Sequence, residues 1–391
     1  GQGYSHFEHN SHGIEQELLV WVPLDATAGS SVRIQRLRVR NRSARRRRLS
    51  ATFYAEWVLG TTHEESQMHV VTGWDVESQS LLARNVYNPD FSNRVAFASS
   101  SRPVSSFTGD RTSFLGRNGS HGRPDAMTRR ALSGRQGAGL DTCAALQVTL
   151  DVDPGAEAEV TFLLGQSADA AEARGLVRLY RDADRVNRSL VETRGWWDRF
   201  LGAIQVDVPD LAVKFLLNRW LPYQTLSCRV WGRTAFYQSG GAFGFRDQLQ
   251  DVLALLFAAP DIARQQILRA ASRQFPEGDV QHWWHTQTGA GVRTRISDDM
   301  LWLPFAVAEY VRVTGDRGIL NEMVPFLDGR ALEPGELEAY FVPVAGLEAA
   351  SIVEHCRRAI ARASKMGVHG LPLIGTGDWN DGLNLVGPDG K

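Results

Sequence analysis

The chain has 391 residues, 43% of them hydrophobic and 22% charged, with a formal net charge of −1. That length suits on the order of two or three domains with ample sequence for buried cores, and the neutral balance gives no ground for nucleic-acid or membrane-surface binding. Three dispersed cysteines (Cys143, Cys228, Cys356) argue against a disulfide framework or a cysteine zinc site and fit a reducing compartment, while no apolar run reaches the roughly 18 residues of a membrane span and no signal-peptide pattern opens the chain.

The first part reads as β structure. Leu49, Ala51, Phe53, Ala55, Trp57 and Leu59 alternate with Ser50, Thr52, Tyr54, Glu56 and Val58, which is period two with one wet face. Residues 14–22, 32–39, 69–74, 81–86, 94–98, 144–152 and 158–164 are further strand candidates, separated by turn residues such as Asn41 and Asp153-Pro154-Gly155. Short strands with no helix between them predict an antiparallel sandwich over 1–167. Residues 100–141, rich in Ser, Gly and Arg, read as a long loop on that sandwich, one able to reach another domain. The basic run Arg45–Arg48 reads as a solvated turn between strands, and His6, His9 and His12 as surface strand histidines.

The period changes near Ala168. Ala173, Leu176, Val177, Tyr180, Val186, Leu190, Trp197 and Phe200 keep helical spacing, so 168–207 reads as a helical linker. From 208 to 391 the pattern is helix, loop, helix: Asp210 caps one helix, and others are predicted over 248–258, 261–274, 298–313, 318–327 and 347–364. The long aromatic and polar loops between them are of the kind that carries function, and eight of the 11 Trp residues lie after residue 190. Neither end resembles a domain boundary, so a piece of a longer protein is expected.

Four segments could carry chemistry. Residues 375–384 hold three glycines, two aspartates, two asparagines and a Trp, a composition barred from a helix interior. A carboxylate there beside the Trp379 indole is desolvated toward a useful acid; the competing reading is a simple turn, since the EF-hand spacing is unmatched. In 237–251 a Gly-rich turn runs into a helix opened by Asp247 and Gln248. Its N-terminus and Arg246 could hold an anion or a pair of sugar hydroxyls, with Asp247 and Asp251 on one face; the competing reading is a capped helix with Arg246 in an internal ion pair. No P-loop signature follows. In 277–285, His282, Trp283, Trp284 and His285 lie close together, and 293–302 carries Asp298, Asp299 and Trp302. Aromatic faces edged by Asp, Gln, His and Arg suit sugars; a metal is disfavoured because no zinc-type His spacing is present, and plain packing of the Trp pair is the rival.

Together, 237–251, 277–285, 297–299 with Trp302, and 377–384 resemble, in the same order, glycoside hydrolase family 94, the inverting sugar phosphorylases. Residues 4–22 and 34–60 most resemble the carboxyl-terminal module of cyclic β-1,2-glucan synthases and the related β-1,2-oligoglucan phosphorylases. The resemblance implies a multidomain β plus all-α protein: an N-terminal antiparallel β-sandwich, a helical linker, and an (α/α)6 barrel that is incomplete here, part of the phosphate site lying beyond the chain. It implies Asp381 as the catalytic acid. Arg246, Asp251, Asp247, His282, Trp283, Trp284, Asp298, Asp299, Trp302, Asp378 and Trp379 would bind or shape the substrate, and Arg233 would contact phosphate.

An inverting hydrolase needs an acid and a base, whereas a phosphorylase needs only the acid, because phosphate is already an anionic nucleophile. The expected reaction is phosphorolysis of a β-glucan to α-glucose 1-phosphate, with inorganic phosphate as co-substrate and no cofactor or metal. Expected partners are a β-glucan oligosaccharide and phosphate, not nucleic acid or membrane, with a homodimer open. The expected location is the cytoplasm, tethered to the inner membrane through an upstream synthase region; the segment alone should be inactive. Two rivals remain: an inverting hydrolase using Glu277 or Asp299 as base, and a non-catalytic glucan-binding module.

Overall fold

The computed structural model describes residues 3–24, 31–88, 90–232 and 241–377. They divide into two compact units, Gly1–Asp198 and Arg199–Lys391. Among the described residues, no helix is long and apolar enough to cross a membrane.

The first unit runs through β1 (Tyr4–Ser11), β2 (Ile14–Trp21), β3 (Ser31–Asn41), β4 (Arg47–Glu56), β5 (Val70–Asp75), β6 (Ser80–Asn85), β7 (Val95–Ser100), β8 (Ser106–Asp110), β9 (Thr142–Val152) and β10 (Glu157–Ser167), then α1 (Ala170–Arg181) and α2 (Ala183–Gly202). Seven strands pair in the order β1-β2-β3-β10-β7-β6-β5 and three in the order β4-β9-β8, every pairing antiparallel. Alternation decides what lies between the sheets: Ala51, Phe53, Leu146, Val148 and Leu150 meet Leu81, Ala83, Val160 and Phe162, with the Phe53 and Phe162 rings 5.7 Å apart. The opposite face of the larger sheet is dry as well. Leu19, Trp21, Ile34, Phe97 and Leu163 pack against Ala173, Val177 and Tyr180 of α1 and Val186 and Leu190 of α2, and the buried Trp21 indole donates to Ser189 Oγ at 3.1 Å. Central strands covered on both faces read as continuous apolar runs, as 160–164 does.

Three expectations change. The helices of 168–207 are the second cover of the larger sheet rather than a free connection. Residues 100–141 are not a long loop: they contain β8, a helix at Arg111–Leu115 and a 3-10 turn at Asp125–Thr128. From these elements Phe114, Leu115, Ala126 and Leu132 pack on Cys143 and Ala145, and Tyr54 stacks on Phe114 at 4.5 Å, so the face of β4 expected to be wet is covered at Tyr54 while Ser50 and Glu56 stay exposed. The same segment shields the edge strand β5, where Thr72 N–H donates to Gly137 O at 3.1 Å. Finally, β1 is an added edge strand whose residues are mostly exposed, joined to β2 through His12 and Gly13, both with positive φ. Arg47 of the basic run is spent locally, donating to Ser43 Oγ at 3.1 Å and His12 O at 2.6 Å.

The second unit is helical from 211 to 231, with Asp210 accepting from the Ala212 and Val213 N–H groups. It continues through β11 (Ala242–Gly244), α3 (Phe245–Leu253), α4 (Pro260–Ala271), β12 (Gln281–His285), β13 (Gly291–Thr294), α5 (Trp302–Thr314), β14 (Met323–Asp328), β15 (Glu338–Phe341), β16 (Val344–Ser351) and α6 (Ile352–Ala363). Helical spacing buries Phe245, Leu249 and Val252 on α3, Ala263, Ile267 and Ala270 on α4, and Leu303, Ala306 and Tyr310 on α5. Two small sheets, β11-β12-β13-β15 and β14-β16, were not expected among the helices. The helix predicted over 318–327 is instead a 3-10 turn (Arg317–Asn321) followed by β14, where Val324 and Phe326 are buried and Met323 and Pro325 exposed. The helix predicted over 347–364 begins only at Ile352, after β16.

One ion pair ties α1 to the sheet. Arg174 donates two-pronged to Asp75, Nη2 to Oδ1 at 2.6 Å and Nε to Oδ2 at 3.1 Å. This bond holds the Asp75 carboxyl well below the usual carboxylate range. A depressed acid stabilises the fold above its unfolded pKa of about 3.9 and loses that contribution as pH falls through its folded value. Arg174→Ala is therefore expected to destabilise the fold at neutral pH. The gap to the parent protein in urea melts should close below about pH 4; a pH-independent gap would assign the loss to packing.

Candidate active site in the helical unit

Arg246, His282, Asp298, Asp299 and Trp302, all singled out from the sequence, meet at the start of α5. A 3-10 turn, Asp299–Leu301, leads into α5 and is preceded by Asp298. Asp298 receives the Trp302 indole N–H at 3.4 Å and lies 3.6 Å from Nη1 of Arg246, a buried guanidinium in the first turn of α3. Asp299 has a different hydrogen-bond partner. It is 1% exposed and lies 2.7 Å from Nδ1 of His282 on β12. Burial pushes the Asp299 carboxyl up, and the His282 contact partly opposes that rise. Two adjacent carboxylates are thus matched by two different elements, one by a helix arginine and one by a strand histidine.

The segment leading into 378–384 is pinned beside them. Gly375 bridges Ile296, Thr376 N–H donates to Arg295 O at 3.3 Å, and Ser297 N–H donates to Gly377 O at 3.2 Å. Gly375 has φ +69°, and a Cβ there would lie 1.8 Å from Arg295 O, so the close approach requires glycine. Arg295 itself donates to Glu336 O at 2.7 Å and Glu333 O at 2.8 Å.

The other residues are placed as follows. Asp251 accepts from Nε of Arg229, both of its oxygens lying at 3.1 Å. Asp247 stands in the first turn of α3, where its charge suits the helix N-terminus. Trp283 is half-buried, 5.8 Å from the Tyr340 ring. Trp284 is 0% exposed and packs against Phe243 at 6.1 Å; the reading of this ring as a sugar platform gives way to packing, because strand alternation turns it inward. Arg233, Asp378, Trp379 and Asp381 lie outside the described residues.

Two features were not read from the sequence. Arg229 is the partner of Asp251 from 22 residues upstream. Arg293, 2% exposed, donates to both oxygens of Asp279 at 2.7 Å and to Glu277 Oε2 at 2.9 Å, with its guanidinium 3.8 Å from the Phe275 ring centroid. Although burial works against its charge, the two carboxylates keep Arg293 protonated. A single buried arginine followed two residues later by another gives no signal of which acid it pairs with. Among the described residues no group of three or more His, Cys, Asp or Glu side chains could hold a metal ion.

Comparison with known proteins adds to this geometry. Residues 1–183 match the glycosyl hydrolase 94 supersandwich domain and residues 196–391 the catalytic domain of the glycosyl hydrolase 94 superfamily. The whole chain is 44% identical to the cyclic β-(1,2)-glucan synthase NdvB of Rhizobium meliloti (strain 1021), of which it covers 14%. It is 26% identical to the N,N'-diacetylchitobiose phosphorylase of Vibrio proteolyticus, with 99% of this chain and 49% of that protein aligned. Against the solabiose phosphorylase of Paenibacillus borealis the identity is 28%, over 100% of this chain and 47% of that protein. The chain therefore spans half or less of the length of these relatives.

Two substitutions test the placement. Gly375→Ala is expected to detach the 375–377 strap at a local cost of about 1–3 kcal/mol. Limited proteolysis after residue 365 should then accelerate while the global melting temperature moves little; unchanged cleavage would show that the strap is not held there. Trp284→Ala should cost about 3–5 kcal/mol, the range for emptying a buried aromatic site, measured as a fall in Tm.

Proposed function

Because the chain belongs to the glycosyl hydrolase 94 superfamily, we propose that it is the carbohydrate-active module of an inverting glycoside phosphorylase that cleaves a β-linked glucan with inorganic phosphate. Asp381 acts as the general acid. A phosphate oxygen forms a bond to C1 as the glycosidic C1–O bond breaks; the electron pair leaves with the glycosidic oxygen, which takes the Asp381 proton. Attack from the face opposite the leaving group gives α-glucose 1-phosphate and a shortened glucan. Arg246 and Asp251 hold the terminal glucose, Asp298, His282 and Trp302 line it, Asp378 and Trp379 shape the acid's surroundings, and Arg233 contacts phosphate.

The observation that carries this reading is the engagement of the carboxylates a hydrolase would use as base. Glu277 receives the Arg293 guanidinium, and Asp299 is buried on His282. Asp299, fully buried, is closed to the water that a base would activate, and Glu277, half-exposed, is held by a cation; phosphorolysis needs no such base. The strap adds support. Asp381 is four residues beyond Gly377, so covalent reach keeps the two Cα atoms within about 14 Å, and Gly377 is bonded to Ser297 next to the acidic pair. The 44% identity to a cyclic β-(1,2)-glucan synthase favours a β-1,2-linked substrate and a place in a larger synthase-like protein; a cytoplasmic location with a tether to the inner membrane through an upstream synthase region is part of the same proposal.

The test is phosphate-dependent release of glucose 1-phosphate from β-1,2-glucan by the full-length natural protein. Asp381→Asn keeps the side-chain shape but cannot donate the proton, and turnover should fall at least about 100-fold with glucan affinity within about twofold. Near-normal turnover would remove Asp381 from the role, and glucose released without phosphate would establish hydrolysis instead. Trp302→Ala should weaken glucan binding about tenfold, consistent with loss of a stacking face, with Tm nearly unchanged; a drop in Tm at constant affinity would make Trp302 a packing residue.

A further inference from the structure

One face of α4 and the turn after it gathers groups that the acidic pair does not use. Gln266, Arg269 and Arg273 are spaced three and four apart and so share a helix face. They look onto Phe243 and Trp284, a cross-strand pair of β11 and β12. The Arg269 guanidinium carbon lies 5.8 Å from the Phe243 ring centroid and that of Arg273 lies 5.5 Å from Trp284. Neither arginine forms an ion pair among the described residues. Burial pushes both pKa values down, and the charge of Arg269 pushes that of Arg273 further. Arg269 keeps much of its surface in solvent, whereas Arg273 is half-buried beside it with no counter-charge, an arrangement that favours an anion between them.

The neutral groups beside them are also short of acceptors. Trp284 Nε1, Gln266 Nε2 and Arg273 Nε are buried donors with no hydrogen-bond partner, Trp284 and Gln266 being 0% and 1% exposed. The Gln266 amide is oriented by its own oxygen, which accepts from Arg269 Nη1 at 2.8 Å. Buried donors normally find an acceptor. An unpaired half-buried guanidinium with one unmet N–H, a second guanidinium at its side, and two further unmet buried N–H groups call for a ligand that is anionic and rich in acceptor oxygens.

We propose that Arg269 and Arg273, with the Trp284 indole N–H and the Gln266 amide, form an oxyanion site that takes a phosphate group, either free or as a sugar monoester. The guanidiniums supply charge and fork geometry, and the two neutral donors fix orientation. The buried Trp284 thereby has a polar use that packing alone does not give it.

The site is tested on the 391-residue chain by calorimetric titration with inorganic phosphate, with glucose 1-phosphate in a second arm, at fixed ionic strength. Saturable binding is expected, weakened at least about tenfold by Arg269→Gln or Arg273→Gln and within about twofold of the parent in Arg233→Ala. The arm that binds more tightly identifies the natural form of the ligand, and either order supports the site. Failure of both ligands to saturate, or loss of binding in Arg233→Ala with retention in the two α4-face variants, would overturn it. The unsubstituted chain gives a readout independent of variant folding: the Trp284 indole N–H resonance should shift with phosphate and not with equal chloride, and an unmoved resonance would also overturn the assignment. Binding is measured without turnover, so an absence of phosphorolysis would leave this result standing.

Discussion

Seating two adjacent carboxyl groups, Asp299 fully buried and Asp298 partly so, is the constraint around which the helical unit is arranged. Asp298 and Asp299 repel one another and lose hydration, a penalty of several kcal/mol per charge unless partners are supplied. No single element supplies both. Arg246 reaches Asp298 from the start of α3, Trp302 donates to it from one turn further along the chain, and His282 meets Asp299 from β12. Helix, 3-10 turn and strand are therefore brought together by electrostatics as much as by apolar contact. The apolar face of α5, with Leu303, Ala306, Val307 and Tyr310 buried, anchors the helix whose first turn carries Trp302 beside the acids. A comparable balance holds around Arg293, where one buried cation gathers Asp279 and Glu277 and so closes the loop between α4 and β12.

The sandwich was largely legible because its strands alternate in the way a half-buried sheet requires. Where alternation fails, legibility fails with it. β1 carries Ser5, His6, Glu8, His9 and Asn10, and nothing but pairing to β2 makes it a strand. Residues 323–327 are mostly apolar, and a short apolar run fits a buried helix as well as a strand; Pro325 was the available clue, since it disfavours a helix interior and suits an edge. At 351 the clue was present and unused: Ser351 followed by Glu354 is a capping box, and Ser351 Oγ does accept from Glu354 N–H at 3.4 Å.

The candidate site was legible as a set of residue types and illegible as a set of pairings. Arg246, Asp298, Asp299, His282 and Trp302 were singled out from separate motifs, and the fold brings them together. Glu277 belongs to the same motif as His282 but is held by Arg293, and Trp284 is the neighbour of Trp283 yet faces the interior. Sequence proximity does not separate these roles, because adjacent strand residues face opposite sides. The partner that decides each role lies between 14 and 22 residues away for Asp279, His282, Glu277 and Asp251.

The Ser297–Gly377 contact joins positions 80 residues apart. Closing so long an interval costs chain entropy before it returns any bonding, and long-range closures of this kind slow folding. α5, β14, β15, β16 and α6 all lie within the interval, and folding them shortens the free chain that the closure has to span. On a ribosome, residue 297 emerges well before residue 377, so the acidic pair can settle against Arg246 and His282 first and receive the strap last. The order of synthesis thus separates construction of the acidic node from arrival of the segment that leads to Asp381.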